Sequence, residues 1–451
     1  MNASPHIIII GCGFGGLAAA KRLARLNVKV TLIDKTNHHI FKPLLPMVAS
    51  AELSPFSVSV PARAIFHGHE NVFVLMTTVL RIDAARKEIE TTEGTLSFDH
   101  LIVAVGAEPN YFGNETWARE VLPLSSLSDA RKIRNRVLSA FEEAESSTAL
   151  SGVQQDGLLN FVIVGAGSTG IELAGSFATL VGKVLSKRNF RSINPANAQI
   201  YLVELADRVL PLPTIGKPQS QYAEGILTQQ GVKILTSCKV VDIDETGVLI
   251  EKSGSRAEAT NAHEEVAKAL FIPTRTVIWC AGVKASAIVQ SLGVSLDLSG
   301  RVPVNGSLNI EGHDCVYVIG DAARFEQDGK PLPGLASVAK QMGTYVAETI
   351  AARLSGKAVS DFRYRRSGTV VTVTEGNGIA VFGKHSLVGF SAWIIWLIAH
   401  VYFLIGHRNR SLVLIQWLYS WLGASPGARI ITDDPESKTK RLGEAMPKGD
   451  E

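Results

Sequence analysis

Two glycine-rich turns of the same type carry the most informative chemistry in this sequence. Each follows a run of mostly β-branched apolar residues, at 6–10 and 161–164, and each opens a stretch with helical spacing, at 17–26 and 171–185. Glycines at a helix start let backbone N–H groups close around a pyrophosphate, whose charge the helix dipole favours. Two such turns in this context predict two bound dinucleotides and electron transfer between them. The turn residues are Gly11, Gly13, Phe14, Gly15 and Gly16 in the first, and Gly165, Gly167 and Gly170 in the second.

An acidic residue accompanies each turn. The strand that follows the first turn ends at Asp34, and the strand that follows the second ends at Glu204. A carboxylate at this position accepts hydrogen bonds from ribose hydroxyls and repels a 2′-phosphate, so Glu204 favours NADH over NADPH. Arg208 lies close enough in sequence to soften that preference. The alternative for either acid is an ordinary surface residue at a strand end.

The composition bounds the class of protein. With 451 residues, 46% of them hydrophobic, the chain is long enough for two or three domains with substantial cores. The formal net charge is only +3, which gives no support to nucleic-acid binding. Residues 1–6 are polar and lead straight into a strand, so no signal peptide is visible and we expect a protein on the cytoplasmic side.

Cysteine usage argues against one large class of flavoenzymes. Flavin-dependent disulfide reductases carry a redox-active cysteine pair soon after the first strand pair, where residues 35–45 hold no cysteine. Isolated cysteines are typical of buried thiols in a reducing compartment. Electrons must therefore leave by another route, and no His or Cys spacing indicates a metal site. The four cysteines are Cys12, Cys238, Cys280 and Cys315.

Three further strands end in glycine and complete the two nucleotide-binding units. They end at Gly106, Gly282 and Gly320, and Asp321 follows the last. An aspartate there can bond the ribityl chain of a flavin, and it can also cap the following helix. The strand order indicates a first domain that is interrupted by the second. We expect 1–152 and 283–366 to form the first domain, 153–282 the second, 367–432 a C-terminal region, and 433–451 a disordered tail.

Residues 376–432 differ from the rest of the chain. They hold no acidic residue and four of the six tryptophans. An apolar stretch, 387–405, is followed by a basic cluster at 407–410 and a second apolar stretch, 412–422. Three alternatives are open: helices lying in the plane of a membrane surface, a buried core or dimer surface, and a spanning helix, which needs about 20 apolar residues. The aromatic and arginine residues favour the first, and the second stretch is too short to span.

Together these features resemble the type II NADH:quinone oxidoreductases, single-subunit respiratory enzymes of the pyridine nucleotide-disulfide oxidoreductase superfamily. The resemblance covers nearly the whole chain. Two positions depart from the family pattern. Val105 stands where a threonine is common, and the quinone-site motif Ala-Gln-x-Ala has serine at position 337, which weakens the case for a quinone hydrogen bond there. The other matching segments are 37–45 (Asn-His-His-Ile-Phe-Lys-Pro-Leu-Leu), 111–113, 171–175, 320–322 and 406–410.

The resemblance implies an α/β fold with two Rossmann-like dinucleotide-binding domains, arranged as in glutathione reductase, and a C-terminal amphipathic membrane-anchoring region. It implies FAD on the first turn and NADH on the second, with two-electron transfer through the flavin to a membrane quinone and no proton pumping. Its further implied FAD residues are Asp34, Lys42, Gly106, Gly320 and Asp321; its NADH residues are Glu172, Glu204 and Gly282; its quinone residues are Ala336, Ser337, Ala339 and Lys384.

The same resemblance implies where the protein works. We expect a peripheral protein on the cytoplasmic face of the inner membrane, in contact with the bilayer surface through 387–422. The partners expected are NADH, the quinone and the lipid, without nucleic acid, and a homodimer is left open.

Glu172 is the candidate catalytic residue. It lies two residues beyond the last glycine of the second turn, in the first turn of a helix. The resemblance gives it a role at the nicotinamide–flavin contact or in proton supply to the quinone, whereas a helix N-terminus favours a carboxylate in any case. Lys384 is either near the quinone head group or a basic residue that faces lipid. His38 and His39 either line the flavin site or finish a polar loop.

Three other functions remain compatible with the residues. A sulfide:quinone oxidoreductase would need a cysteine pair beside the flavin, for which Cys280 and Cys315 are the candidates. An NADH-sensing flavoprotein of the apoptosis-inducing-factor type would respond by dimerisation or partner binding. A soluble reductase for a small redox protein would not need residues 387–422. The apolar C-terminal stretches therefore favour turnover at a membrane.

Overall fold

A computed structural model describes residues 4–151, 157–185, 189–252, 269–421 and 429–432. Within these residues the chain forms two compact units. The first comprises the described parts of Met1–Phe41, Val58–Gly113 and Gly282–Gly368, and the second those of Lys42–Ser57, Asn114–Ala281 and Thr369–Glu451. The domain boundaries given above stay a prediction, and the tail expected at 433–451 lies outside the described residues.

The elements of the described residues are as follows. The helices are α1 Phe14–Leu23, α2 Leu45–Ala49, α3 Ala62–Ile65, α4 Leu127–Ser151, α5 Ser168–Thr179, α6 Lys217–Gln229, α7 Ala336–Leu354, α8 Phe390–Phe403 and α9 His407–Trp421. The strands are β1 His6–Ile10, β2 Lys29–Asp34, β3 His38–Ile40, β4 Ser59–Pro61, β5 Val72–Met76, β6 Val79–Asp83, β7 Glu88–Thr91, β8 Gly94–Ser97, β9 His100–Val103, β10 Ala107–Pro109, β11 Val121–Pro123, β12 Asn160–Val164, β13 Gln199–Val203, β14 Val232–Leu235, β15 Cys238–Ile243, β16 Gly247–Lys252, β17 Leu270–Pro273, β18 Thr276–Trp279, β19 Val283–Ala285, β20 Val302–Pro303, β21 Asn309–Ile310, β22 His313–Val318, β23 Ala323–Arg324, β24 Glu326–Gln327, β25 Lys330–Pro331, β26 Thr369–Thr374, β27 Asn377–Phe382 and β28 His385–Gly389.

A mainly parallel sheet forms the centre of the first unit, in the order β21-β22-β9-β1-β2-β5. The run of isoleucines in β1 explains its central place, because Ile7, Ile8 and Ile9 are fully buried. Both faces of a parallel sheet are covered, so its strands read as continuous apolar runs. Helix α1 follows β1 and packs on α7, so the first glycine turn joins the middle strand to a buried helix.

The second unit repeats this topology. Its parallel sheet has the order β11-β18-β12-β13-β14, so that β18-β12-β13-β14 corresponds to β9-β1-β2-β5. In each unit a three-stranded antiparallel sheet is inserted at the same point of the chain, β6-β7-β8 in the first and β15-β16-β17 in the second. The predicted α/β class with two Rossmann-like units is confirmed.

The C-terminal part of the second unit divides the first apolar stretch between a strand and a helix. The apolar stretch 387–405 is not a single helix, because its first residues belong to β28 and α8 begins at Phe390. Gly389 makes the change of direction with φ 86°, a conformation that favours glycine. Helix α8 has 14 residues, about 21 Å in length. Of the described helices, none is long and apolar enough to cross a membrane.

Candidate active site

The two glycine turns have the same backbone geometry. The first glycine of each has a positive φ, 102° at Gly11 and 99° at Gly165. The N–H of each donates to the carbonyl oxygen of the last apolar residue in the neighbouring strand, Ile33 or Val203. The N–O distance is 2.7 Å in both cases. The local sequence therefore fixes the turn at the same place relative to each sheet.

The middle glycine of each turn is not required by the protein fold. Gly13 has φ −72° and ψ −167°, and Gly167 has φ −68° and ψ −174°, values that any residue adopts. A Cβ built on either one meets no protein atom within 4 Å. Glycine here leaves room for a group outside the protein to approach the backbone, which is what a pyrophosphate on a helix N-terminus requires. Both turns thus fit a dinucleotide.

Gly167→Ala separates folding from binding. Because the added methyl group points into open space, we expect unchanged thermal stability and unchanged FAD content. Crowding of the pyrophosphate position should weaken NADH binding about 10-fold to 100-fold, since the methyl group prevents close backbone approach. The half-saturating NADH concentration for flavin reduction, followed by anaerobic stopped-flow absorbance of the purified flavoprotein, measures this. Gly13→Ala is the matched variant and should lose FAD instead, and NADH affinity equal to wild type in Gly167→Ala would contradict the assignment.

The acids predicted at the strand ends have equivalent hydrogen bonds. Asp34 accepts from the N–H of Cys12 and of Thr36, both at 2.7 Å. Glu204 accepts from the N–H of Ala166 at 2.7 Å and of Ala206 at 2.8 Å. Each carboxylate therefore ties the glycine turn to the following strand end, which places it where the ribose of a dinucleotide lies in this motif.

Arg208 does not form an ion pair with Glu204 in the described structure. Its guanidinium donates to the carbonyl oxygen of Ile215 at 3.1 Å. That hydrogen bond holds Arg208 against the loop after β13, and the role of Glu204 in nucleotide preference stays a prediction.

The remaining residues predicted for FAD lie in two parts of the fold. Gly106 and Gly320 both have positive φ, 72° and 70°, and Asp321 follows in a single 3-10 turn. Lys42 also begins a 3-10 turn and is exposed, but it belongs to the second unit. Gly282, predicted for NADH, falls at the first residue of a segment of the first unit.

His39 is hydrogen-bonded to the backbone of the first glycine turn. Its Nδ1 donates to the carbonyl oxygen of Cys12 at 2.7 Å, and its ring lies edge-on to Phe14 at 5.4 Å. Burial lowers the pKa of His39 to about 4, so the ring is neutral at neutral pH. His39 is buried in β3 rather than placed in a polar loop, and a place lining the flavin site stays a prediction.

Glu172 is a buried acid in the first turn of α5. Its Oε1 accepts hydrogen bonds from the N–H of Thr372 at 3.4 Å and from the indole Nε1 of Trp396 at 3.3 Å. Burial raises its pKa to about 8, and the two hydrogen bonds oppose that shift. A carboxyl group with such a pKa is protonated at pH 7 and can release or accept a proton close to that pH.

Three polar groups of the second unit were missed by sequence reasoning. Trp396 and His400 lie one helical turn apart on α8, inside the stretch that reads as membrane-contacting. Glu52 follows α2, and burial together with the charge of Glu375 raises its pKa to about 7. The sequence carried a signal for His400, which interrupts an apolar run, whereas no local pattern marked Trp396 or Glu52.

Comparison with known proteins decides the family. A family model described as pyridine nucleotide-disulphide oxidoreductase matches residues 5–343. The type II NADH:quinone oxidoreductase Ndh of Mycobacterium tuberculosis is 36% identical over 448 residues, which cover 97% of this chain and 92% of that protein. The chain belongs to the type II NADH:quinone oxidoreductases. The resemblance drawn from the sequence motifs is thereby confirmed.

Other relatives of this oxidoreductase agree. The enzyme of the same name from Staphylococcus haemolyticus is 27% identical, over 86% of this chain and 92% of its own. NDH2 of Plasmodium falciparum, solved in complex with NADH, has the same fold with a TM-score of 0.81 at 20% identity, over 95% of this chain and all of that one. Family membership confirms the predicted activity as an NADH dehydrogenase that reduces quinone, with FAD and NADH as cofactors.

The quinone candidates of this oxidoreductase fall in both units. Ala336, Ser337 and Ala339 begin α7 in the first unit, and Lys384 is exposed in the turn between β27 and β28 of the second. The hydroxyl group of Ser337 is hydrogen-bonded to that of Tyr364 at 3.0 Å. Serine in place of the family glutamine therefore has a partner inside the protein, and a role in quinone binding stays a prediction.

The cysteines of the enzyme do not favour sulfide chemistry. All four are free. Burial raises the pKa of the Cys280 thiol to about 12, so it is not a nucleophilic thiolate at neutral pH. The described residues also contain no group of three His, Cys, Asp or Glu side chains that could hold a metal.

Proposed function

We propose that this oxidoreductase works while attached to a membrane surface, binding NADH at the second glycine turn and receiving its quinone from the lipid. When bound, FAD supplies the redox chemistry by accepting a hydride from NADH and passing two electrons to the quinone. The protein residues bind and orient the nucleotides and supply or hold protons.

The observation that carries the membrane assignment is an exposed apolar surface on α8 and α9. Ile398 and Tyr402 of α8 are 64% and 69% exposed, and Leu414 and Leu418 of α9 are 50% and 53% exposed. Residues four apart lie on one helix face, so each helix presents a continuous apolar strip. Helices of this kind lie in the plane of a bilayer surface, with their apolar side in the acyl region.

The basic residues at the junction of the two helices have separate tasks. Arg410 donates to the carbonyl oxygens of Leu404 at 2.8 Å and of Tyr402 at 2.9 Å, and so caps the end of α8. Arg408 is exposed and remains available for anionic lipid head groups. We therefore assign the lipid contact to Arg408 and the structural contact to Arg410. The cytoplasmic face of the inner membrane remains our proposal for its location.

Glu172 is the proton-handling group in this proposal. It is buried, it is protonated at neutral pH, and its helix starts at the turn that binds NADH. A quinone that accepts two electrons also takes two protons, so a carboxyl group with a pKa near the working pH suits this reaction. Glu204 binds the ribose and the glycine turn binds the pyrophosphate.

The test is oxidation of NADH by the detergent-purified protein, with and without a short-chain quinone, followed by the same assay on liposomes. Turnover that requires quinone and rises on addition of liposomes supports the proposal. A flavin that NADH reduces and that quinone fails to reoxidise would instead favour a sensor of NADH. Turnover that is indifferent to lipid would remove the membrane part.

Glu204→Ala tests nucleotide selection. Loss of the carboxylate removes a ribose hydrogen bond and the repulsion of a 2′-phosphate, so we expect the KM for NADH to rise about 10-fold and the KM for NADPH to fall. Steady-state kinetics with both nucleotides measures the ratio. Asp242→Ala, which removes an acid elsewhere in the same unit, serves as the control, and unchanged NADH kinetics in Glu204→Ala would refute the ribose assignment.

A further inference from the structure

Helix α8 presents two different faces to its surroundings. Ala392, Trp396 and His400 are buried and follow one another at intervals of four residues, so they share a face. Ile398 and Tyr402 lie on another face and are exposed. The same short helix thus carries the exposed apolar strip and a buried polar face.

The buried face of α8 reaches the acid of α5. The indole of Trp396, which is 1% exposed, donates from Nε1 to Oε1 of Glu172 at 3.3 Å. The two residues are 224 positions apart in the chain. The other donor to Glu172 is a backbone N–H, that of Thr372 in β26. Among the described residues, Trp396 is therefore the side chain that donates to this carboxyl group.

Neighbouring groups fix the indole of Trp396. The ring of His400 lies 4.1 Å from it at an interplanar angle of 30°, and Nδ1 of His400 donates to the carbonyl oxygen of Trp396 at 2.7 Å. Trp417 of α9 packs on the same indole at 5.6 Å. Helix α8 itself lies directly against β27, because a Cβ on Gly378 would come within 2.5 Å of the backbone nitrogen of Trp393.

We propose that Trp396 is a positioning residue for Glu172, through which the helices α8 and α9 control the proton-handling group of the enzyme. The proposal rests on the function assigned above to Glu172. It connects two features that are separate in the sequence, the apolar helices and the nucleotide-binding helix. A change in the position of α8 changes the hydrogen bond to Glu172 and with it the readiness of the acid to release its proton.

The hydrogen bond from Trp396 is one of few influences on the pKa of Glu172. Among the described groups, only burial, the Thr372 N–H and the Trp396 indole shift the pKa of Glu172. Burial also keeps His400 neutral by lowering its pKa to about 4. The titratable and charged groups of the elements packed on α5 and α8, or of the residues that follow those elements, are Glu52, Lys183, Tyr201, Glu204, Lys217, Tyr222, Glu224, Lys233, Glu375, Lys384, His385, His407, Arg408, Arg410 and Tyr419.

The decisive variant is Trp396→Phe in the full-length holoenzyme. It keeps an aromatic ring against His400 and removes the N–H donor. Because the hydrogen bond favours the ionised carboxyl, its loss should move the titration midpoint of Glu172 upward by about one pH unit. The infrared band of the protonated carboxyl, identified by its absence in Glu172→Gln, gives the midpoint directly. A midpoint equal to that of the wild type would overturn the proposal.

Trp393→Phe is the matched control. Trp393 lies on the same helix and its ring packs on Phe390, so this change should leave the midpoint in place. An equal shift in both variants would mean that general loosening of α8, rather than the indole donor, is responsible, and would also overturn the proposal.

A second measurement requires no change at Trp396. In protein labelled with 15N at the indole positions, one of the six tryptophan signals should titrate with the midpoint of Glu172, and this titration should vanish in Glu172→Gln. Six signals that are all insensitive to pH around the Glu172 midpoint would contradict the contact itself.

Failure of the positioning role can be distinguished from failure of the proposed function. Stopped-flow measurements resolve reduction of the flavin by NADH from its reoxidation by quinone. If the wild type is not reoxidised by quinone, the proposed function fails, whereas the positioning role is still judged by the carboxyl titration. If the wild type turns over and Trp396→Phe shows the wild-type midpoint, only the positioning role fails.

Discussion

Replacing Glu172 by Gln is expected to stabilise the folded protein at pH 7 to 9 while slowing quinone-dependent turnover. The folded carboxyl has a pKa of about 8 because it is buried, whereas in an unfolded chain its pKa would be the ordinary 4.5. Between these two values the folded state binds one proton more than the unfolded state, so stability falls as the pH rises. Above the pKa of the folded carboxyl, the unfolding free energy is lowered by the full cost of burying its charge.

The size of this effect follows from the pKa difference. Between pH 5 and pH 8 the wild type should lose roughly 3 kcal/mol of unfolding free energy through this one group. Gln has nearly the same shape and does not ionise. The difference in Tm between Glu172→Gln and wild type should therefore widen with pH over this range, as measured by thermal unfolding of the two holoenzymes in parallel.

The rate of quinone-dependent turnover should fall in Glu172→Gln, although the folded protein is stabilised. Removal of a positioned proton donor typically costs a factor of 10² to 10⁴, and we expect about 100-fold in the rate of quinone reduction with NADH binding preserved. Glu245→Gln, at an exposed acid of the same unit, is the control and should change neither quantity. A Tm difference for Glu172→Gln that stays constant from pH 5 to pH 8 would show that Glu172 is ionised in the folded protein.

Replacing Ile398, Leu414 and Leu418 together by Ser should release the protein from membranes. Each side chain is at least half exposed on α8 or α9. Transfer of such a side chain into an apolar medium contributes about 1.5–3 kcal/mol when complete. Even half of that at three positions lowers the partition coefficient about 100-fold, which flotation with liposomes containing anionic lipid can measure.

Point variants are preferable to deletion of the whole segment. Removing α8 would also remove Trp396 and Ala392 from the interior of the second unit, so a deleted protein could lose its fold and its lipid binding together. The control replaces Leu80, Leu298 and Leu354, which are also exposed but lie in the first unit. Equal partitioning of the two triple variants would show that α8 and α9 are not the lipid contact.

Much of the nucleotide-binding architecture follows from local sequence. A glycine turn between an isoleucine-rich strand and a helix has few alternative structures, because the apolar strand must be buried on both faces and the glycines permit the tight turn. Asp34 and Glu204 follow from the same pattern, since each ends the strand beside its turn. These features involve residues that are near one another in the chain or in adjacent strands.

The division of the C-terminal stretch was harder to predict. From 387 to 405 the residues are almost uniformly apolar, and apolar content alone does not distinguish a strand from a helix. Pairing of β28 with β27 placed residues 385–389 in a sheet, and Gly389 allowed the chain to turn into α8. Strand pairing therefore took up the first residues of an apolar stretch whose length had left a membrane-spanning alternative open.

The two glycine turns and the family of this oxidoreductase could be predicted from the amino-acid sequence, because both depend on short motifs with a fixed local geometry. The hydrogen-bond partners of two other residues could not be predicted from the sequence. In the folded chain the Ser337 hydroxyl group is hydrogen-bonded to Tyr364, and the Trp396 indole is hydrogen-bonded to Glu172. Ser337 and Tyr364 are 27 positions apart, and Glu172 and Trp396 are 224 positions apart. Both contacts depend on how the elements pack, and no local pattern records that packing.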